Sequence, residues 1–399
     1  IVGYLYPLIQ LEYMDDPRSE KCLINEKYRD YARRIWKERG INFQSTEQLV
    51  GWITSDAQRV TSGIYKNHYF STTKSKQTIR QNQLTSIIIL THNQLEYTKK
   101  CIESIFTHTK EPFELIVVDN GSTDGTVEYL ETEVGGQRAE DGGRKTDAGG
   151  QKSEDRSQRS EVRIIKNMEN LGFAAGNNQG MAAATGDYIL LMNNDIVVTQ
   201  GWLERMVSCA ERDPRIGIVG PMSNYVSGPQ LVKDVTYNIT DLDGLDAFGS
   251  EFLNKYAGKA ERILRVVGFC MLIKRAVINK IGGMDGRYGL GNFEDDDFSL
   301  RATLAGFESW IAEDCFVHHF GNRTFIGAKI DYRESLHKNW EIFKGKWGMP
   351  KGIPYGSYDV SDILKKGFIP ERHYCPLPET DASAVSEMEN ISENNDTIM

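Results

Sequence analysis

YILLMNNDIVV, residues 188–198, is an apolar run broken by Asn193, Asn194 and Asp195 before the apolar character resumes. Burying an unpaired carboxylate costs several kcal/mol, so a strand has little use for Asp195 unless the residue meets a partner. Three more runs share this texture: SIIIL (86–90), LIVVD (115–119) and VRIIK (162–166), separated by helical patterns. Continuous apolar strands alternating with helices predict an α/β fold with a mostly parallel sheet covered on both faces. In such sheets ligands bind beyond the carboxyl ends of the strands. The residues that follow each run are therefore the ones to inspect.

After the first run, SIIILTHN places Thr91 and Asn93 at the strand end. No glycine-rich fingerprint follows, which disfavours a dinucleotide fold and a P-loop. LIVVDNGSTDGT ends its strand on Asp119 and continues into a tight turn. Asp119 reads equally as a turn residue or as an acceptor for a ribose hydroxyl or base edge. NLGFAAGNNQGMAAATGDY carries Asn170 and Asn177, and its Gly172, Gly176 and Gly180 bring backbone close to a neighbour.

Downstream, FEDDDF (293–298) sets four consecutive acids, Glu294 to Asp297, ahead of a helical pattern beginning near Phe298. Carboxylates at a helix N-terminus are favoured by its dipole. Four adjacent ones exceed capping and raise one another's pKa, so a cation or a base-requiring reaction explains them better. VHHFG (317–321) offers His318 and His319, structural or metal-ligating, and Arg323 follows as a candidate for binding a diphosphate.

Strand-THN, VVDNGSTDGT, NLGFAAGNNQG and ILLMNND, in this order and spacing, resemble the nucleotide-sugar half of family 2 glycosyltransferases of the GT-A fold. The resemblance covers about residues 85 to 345, without the insertion described below. It implies that Thr91, Asp119 and Asn170 lie along the nucleotide, and that Asn193, Asn194 and Asp195 stand where the family has its DxD metal motif. The first acidic position of that motif is asparagine here. It further implies that Asp295 is a general base, that Glu294 and Asp297 support the acceptor or the motif's geometry, and that a histidine before the glycine turn, His319 over His318, ligates metal. The implied chemistry is inverting transfer from a nucleotide sugar, UDP-linked by family weighting, to a glycan, lipid-linked or protein acceptor. Its cofactor is a divalent metal, Mn²⁺ or Mg²⁺. Two competing readings are a nucleotidyltransferase, whose glycine-rich opening is absent, and a catalytically weak module of the same fold binding carbohydrate or acting as a scaffold.

Composition is ordinary for a soluble globular protein. The net charge of −9 argues against general nucleic-acid binding. Six scattered cysteines without a CxxC pair fit reduced thiols. No apolar run reaches the ~18–20 residues that cross a bilayer. A cytoplasmic protein, with peripheral membrane contact allowed, is the expectation, and a chain opening on Ile1 reads as a piece of something longer. Three segments are expected: a helical extension over 1–80, the transferase domain over 81–348, and a C-terminal extension over 349–399 with an acidic tail. Within the domain, residues 135–161 carry six basic and six acidic side chains and no aromatic one. They read as a disordered charged insertion.

Overall fold

The computed structural model describes residues 83–134, 162–321, 332–354 and 360–379. The expected helical extension over 1–80, the insertion over 135–161, Arg323 and the acidic tail beyond Glu379 lie outside them. The chain divides into two compact units, Ile1–Thr78 with Pro350–Ser361, and Ile79–Met349 with Asp362–Met399. Every strand named below belongs to the second.

The four apolar runs form strands β1 (Thr85–Thr91), β2 (Phe113–Asp119), β3 (Val162–Lys166) and β4 (Tyr188–Asn193). Between them come helices α1 (Leu95–His108), α2 (Thr126–Tyr129) and α3 (Phe173–Ala183). These four strands pair in parallel, in the spatial order β3-β2-β1-β4. The sheet continues with β5 (Ile196–Val198), α4 (Trp202–Ala210), β6 (Ile216–Ser223), α5 (Leu245–Tyr256) and β7 (Ala260–Ile263). It is completed by β8 (Cys270–Lys274), α6 (Arg275–Ile281), α7 (Glu294–Leu304), β9 (Glu308–His319) and α8 (Tyr332–Trp347).

Beyond β4 the order runs β8-β6-β9-β5, with β7 also on β9, and β8 is antiparallel to both β4 and β6. The sheet is thus mixed, its parallel character concentrated in the half the apolar runs predicted. The reversal has a consequence. Cys270, the first residue of β8, pairs with Met192 near the end of β4, so the residues leading into β8 arrive at the carboxyl edge of the parallel strands.

Alternate residues feed opposite faces, as a strand requires. Ile87 and Ile89 pack into one apolar layer, Ile88 into the other, and none of the three has exposed surface. Each such side chain contributes roughly 1.5–3 kcal/mol on burial. On α1 the buried positions Thr98, Cys101, Ile102 and Ile105 form the inward stripe. Gly176 and Gly180 explain how closely α3 lies on β1. A Cβ on either would stand 2.4 Å from a side-chain atom of Leu90 or Ile88.

One helix begins earlier than its pattern suggests. The four acids Glu294 to Asp297 are the first turn of α7, which starts at Glu294 and not near Phe298. No helix among the described residues is long and apolar enough to cross a membrane.

Candidate active site

The parallel strands end in register. Thr91 stands opposite Asp119, and Leu90 opposite Asn193, so three strand ends share one edge. Their loops are knitted together. Asn93 adopts φ 58°, its N–H donates to Ser122 Oγ (2.7 Å), and its Oδ1 accepts from Thr123 N (2.8 Å). The first N–H of α1, on Leu95, is capped from the β2 loop by Asp124 Oδ2 at 2.9 Å.

Within this edge the predicted residues divide by what their polar atoms already do. Asp119 is buried; its Oδ2 accepts from Ser122 N (2.9 Å), whereas Oδ1 has no hydrogen-bond partner among the described residues. Asn177 donates to Phe173 O (2.9 Å) and leaves its own Oδ1 buried without a partner. A buried acceptor left unsatisfied costs about 1–3 kcal/mol, which marks both oxygens as places for a ligand donor. Thr91, Asn170 and Asn194 are engaged internally. The Asn194 amide donates to Thr98 Oγ1 (2.9 Å) and Asn93 O (3.3 Å), with Thr91 Oγ1 at 3.5 Å. Asn170 Oδ1 accepts from Gly172 N (2.9 Å) and Asn120 Nδ2 (3.2 Å). These three shape the loops, and Asn193 is half-buried with its N–H on Phe269 O (2.9 Å).

Asp195 lies in the turn between β4 and β5. Because Ile196 pairs with His319 at the end of β9, Asp195 is brought beside that histidine. His319 Nε2 stands 3.2 Å from Asp195 Oδ1. His319 Nδ1 lies 2.7 Å from Tyr225 O, and a carbonyl can only accept, so Nδ1 carries the proton. In the neutral ring Nε2 therefore presents a lone pair to the carboxylate. Burial alone would lower the His319 pKa, but Asp195, reinforced by the Tyr225 carbonyl, outweighs it and the net shift is upward. A buried nitrogen and a buried carboxylate oxygen facing each other want a positive charge between them. That donor set fits a divalent ion such as Mn²⁺, with remaining positions for phosphate oxygens and water. Among the described residues no group of three or more His, Cys, Asp or Glu gathers into a closed metal site.

His318 points to the opposite face of β9, as the next residue on a strand must. Its Nδ1 meets Tyr237 OH at 2.7 Å, and burial, with His319 beside it, pushes its pKa down to about 4. A cleft of about 750 Å³, lined by Lys100, Asn224, Tyr225 and Phe320 among others, opens beside both histidines.

The acidic turn of α7 is joined to this edge by the two residues that precede β8. Gly268 N donates to Asp295 Oδ2 (3.0 Å), and a Cβ on Gly268 would stand 3.4 Å from that of Asp295. Its neighbour Phe269 stacks on His319, centroids 5.2 Å apart and planes 13° from parallel. Asp295 Oδ1 accepts from Asp296 N (2.9 Å), and Arg265 Nη1 reaches Asp296 Oδ2 at 2.8 Å with Asp295 Oδ2 at 3.7 Å. Glu294 is buried with Oε2 lacking a partner among the described residues; burial first, then the Asp295 charge, raises its carboxyl well above the ordinary range. Asp297 is different. It has no exposed surface and is held by Arg301 Nε and Lys346 Nζ, each at 2.7 Å. Its place is in the packing of α7 against α8.

Arg265, Lys346 and Phe269 carried no signal in the sequence, because each acts through a partner distant along the chain. Residues 86–282 match the family model described as Glycosyl transferase family 2. This stretch belongs to that family. The acidic turn and His319 lie beyond the matched span. A relative from Sinorhizobium fredii, itself named an uncharacterised protein, is 30% identical over 66% of the chain, which spans only 27% of that relative's length. The N-acetylglucosaminyl-diphospho-decaprenol L-rhamnosyltransferase of Mycobacterium tuberculosis is 23% identical, covering 66% of this chain and 86% of its own. Among solved structures, a mannosyltransferase from Pyrobaculum calidifontis in complex with GDP-Man and Mn²⁺ aligns with a TM-score of 0.44 and 16% identity. The alignment covers 70% of this chain and 68% of that one.

Proposed function

We propose that the chain is an inverting, metal-dependent glycosyltransferase that moves a sugar from a nucleoside diphosphate donor, UDP-linked in the first instance, to a hydroxyl of a glycan, lipid-linked or protein acceptor. One observation carries the reading. Gly268 and Phe269, adjacent residues, contact Asp295 on one side and His319 on the other, so a carboxylate base and a cation-binding pair flank a single short segment.

The roles follow from the chemistry each side chain presents at the edge. Asp119 Oδ1 and Asn177 Oδ1 accept hydrogen bonds from the nucleoside. Asp195 and His319 would hold Mn²⁺ or Mg²⁺, which would supply positive charge against that developing on the leaving diphosphate. Asp295 takes the proton of the acceptor hydroxyl while its oxygen attacks the anomeric carbon from the face opposite the leaving group. The glycosidic bond forms as the bond to the diphosphate breaks, with inversion. Asp295 is fixed for this by two backbone N–H groups, and Arg265 keeps its carboxylate from drifting. Arg323, four positions after His319 in the sequence, is assigned to the diphosphate, and the expected domain limits of 81–348 enclose all these residues.

A thermal-shift screen of sugar nucleotides, each with and without Mn²⁺, tests the reading. The correct donor at about 100 times its dissociation constant adds roughly 2.7 kcal/mol of stability, and only when metal is present. A protein that no nucleoside diphosphate sugar stabilises under those conditions is not this enzyme.

A further inference from the structure

Immediately before Glu294 the backbone does something costly. Asn292 and Phe293 stand in succession in the left-handed region, at φ 79° and 71°, after Gly289 at 59° and Gly291 at 131°. Residues with a Cβ avoid this region because the Cβ crowds the neighbouring carbonyl, so the conformation persists only where its surroundings impose it. The imposing element is α8. Asn339, buried on that helix, turns its amide nitrogen onto three carbonyls of the turn: Tyr288 O at 2.7 Å, Gly291 O at 2.7 Å and Asn292 O at 3.1 Å. Beside it, Trp340 and Phe343 hold the Phe293 ring, with centroids 5.5 and 5.3 Å away.

The consequence is directional. Were Asn292 and Phe293 to relax to ordinary dihedrals, the first turn of α7 would rotate and Asp295 would leave Gly268. Phe293 caps the helix without a side-chain hydrogen bond, so the cap does not oppose this rotation; the pairs of Asp296 with Arg265 and of Asp297 with Arg301 and Lys346 resist it from within the turn.

We propose that Asn339 is a positioning residue for glycosyl transfer: by holding Asn292 and Phe293 left-handed, it sets where Glu294 and Asp295 stand without touching either substrate. The proposal rests on the transfer reading above and deepens it.

Asn339→Ala in the full chain is expected to lower transfer at saturating donor by about 10²-fold, the cost of misplacing a reacting group by an ångström. Mn²⁺-dependent donor binding is expected to stay near wild type, because the strand-end residues are untouched. Amide hydrogen exchange should quicken across the Gly289–Asp296 segment alone. Adding Asn292→Gly, which removes the penalty for a left-handed φ, should recover part of the transfer rate. A merely structural asparagine would show glycine rescue of the melting temperature and none of the rate. A wild-type rate in Asn339→Ala, unchanged exchange in the turn, or a lost rate that glycine does not recover overturns the proposal. Should the alanine variant not fold, Asn339→Ser, which keeps one donor, takes its place in the same comparison. If the unmutated chain transfers no sugar from any nucleotide donor, the transfer reading has failed, and the exchange measurement still decides whether Asn339 holds the turn.

Discussion

The strand-end edge and the first turn of α7 both carry carboxylates, yet they are built on opposite terms. Along the strand ends, backbone geometry does the work: Asp119 and Asp195 are delivered by β-ladders whose register is fixed over whole strands. At α7, side chains do most of it, beside the two backbone N–H groups on Asp295. Asp295, Asp296 and Asp297 are held by Arg265, Arg301 and Lys346, and the turn that introduces them is held by Asn339. A site resting on a sheet tolerates the loss of one neighbour, while a site resting on individual side chains does not. Substitutions near α7 should therefore be the more damaging, and within α7 the damage should divide between chemistry and folding.

The largest effect is expected at Asp295. Asp295→Asn keeps the shape and removes the base, so transfer should fall by about 10²–10⁴-fold. Stabilisation by donor and Mn²⁺ should persist, because the residues assigned to the donor are elsewhere. An initial-rate assay alongside the thermal shift checks both halves, and unchanged turnover would remove Asp295 from the mechanism.

Asp297 stands two residues on and should behave in the opposite way. Asp297→Ala leaves the buried Arg301 without its carboxylate and Lys346 with that of Asp285 alone, and breaking a buried pair typically costs about 3–5 kcal/mol. Urea denaturation should show the loss as a lower midpoint, while whatever remains folded binds donor normally. A stable but inactive Asp297→Ala protein would mean that this residue takes part in the reaction.

On the strand-end side, Asp195→Ala should abolish the metal-dependent part of donor binding. The loss should be at least the roughly 10–100-fold that removing a ligand's supporting hydrogen bond costs a metal site. A calorimetric Mn²⁺ titration in the presence of nucleoside diphosphate is the measurement; an unaltered titration removes Asp195 from the metal's ligands.

The same contrast explains which parts were legible in the sequence. The strands β1 to β4 announced themselves as apolar runs, and the strand-end rule directed attention to Thr91, Asp119 and Asp195 without any knowledge of pairing. His319 was visible as a residue, but its approach to Asp195 comes from the β5–β9 ladder, and no local pattern encodes which distant strand will pair. The antiparallel entry of β8 was hidden for that reason, and with it the role of Gly268 and Phe269. The start of α7 is hidden in the sequence because four acids look like a cap, whereas the left-handed Asn292 and Phe293 that start it at Glu294 are held by α8. Asn170 and Asn194 show the converse limit. Motif resemblance marks a side chain as present at an edge, and only the folded structure reveals that Asn170 Oδ1 and the Asn194 amide nitrogen are already engaged with the loops.

The smallest effect separates the two regions by pH. Glu294 is buried beside Asp295, and its carboxyl is raised well above the ordinary value of 4.5, burial being the larger cause. A group with a raised folded-state pKa contributes stability that is full below its unfolded value and is lost as pH rises through the folded one. The wild-type protein should therefore lose stability from about pH 4.5 upward, as the folded state is made to carry a charge it does not solvate. Glu294→Gln is neutral throughout, so its denaturation midpoint should be flatter over the same range and overtake the wild type at the alkaline end. Asp124, at the strand-end edge, is lowered instead: hydrogen bonds from Thr126 and the Leu95 N–H outweigh its burial. Its contribution is therefore complete at neutral pH and declines only as the solution becomes acidic. Parallel midpoint curves for wild type and Glu294→Gln would mean that Glu294 is ionised in the folded protein. The acidic turn would then be solvated like the loops after β1 and β2, and the difference between the two regions would disappear.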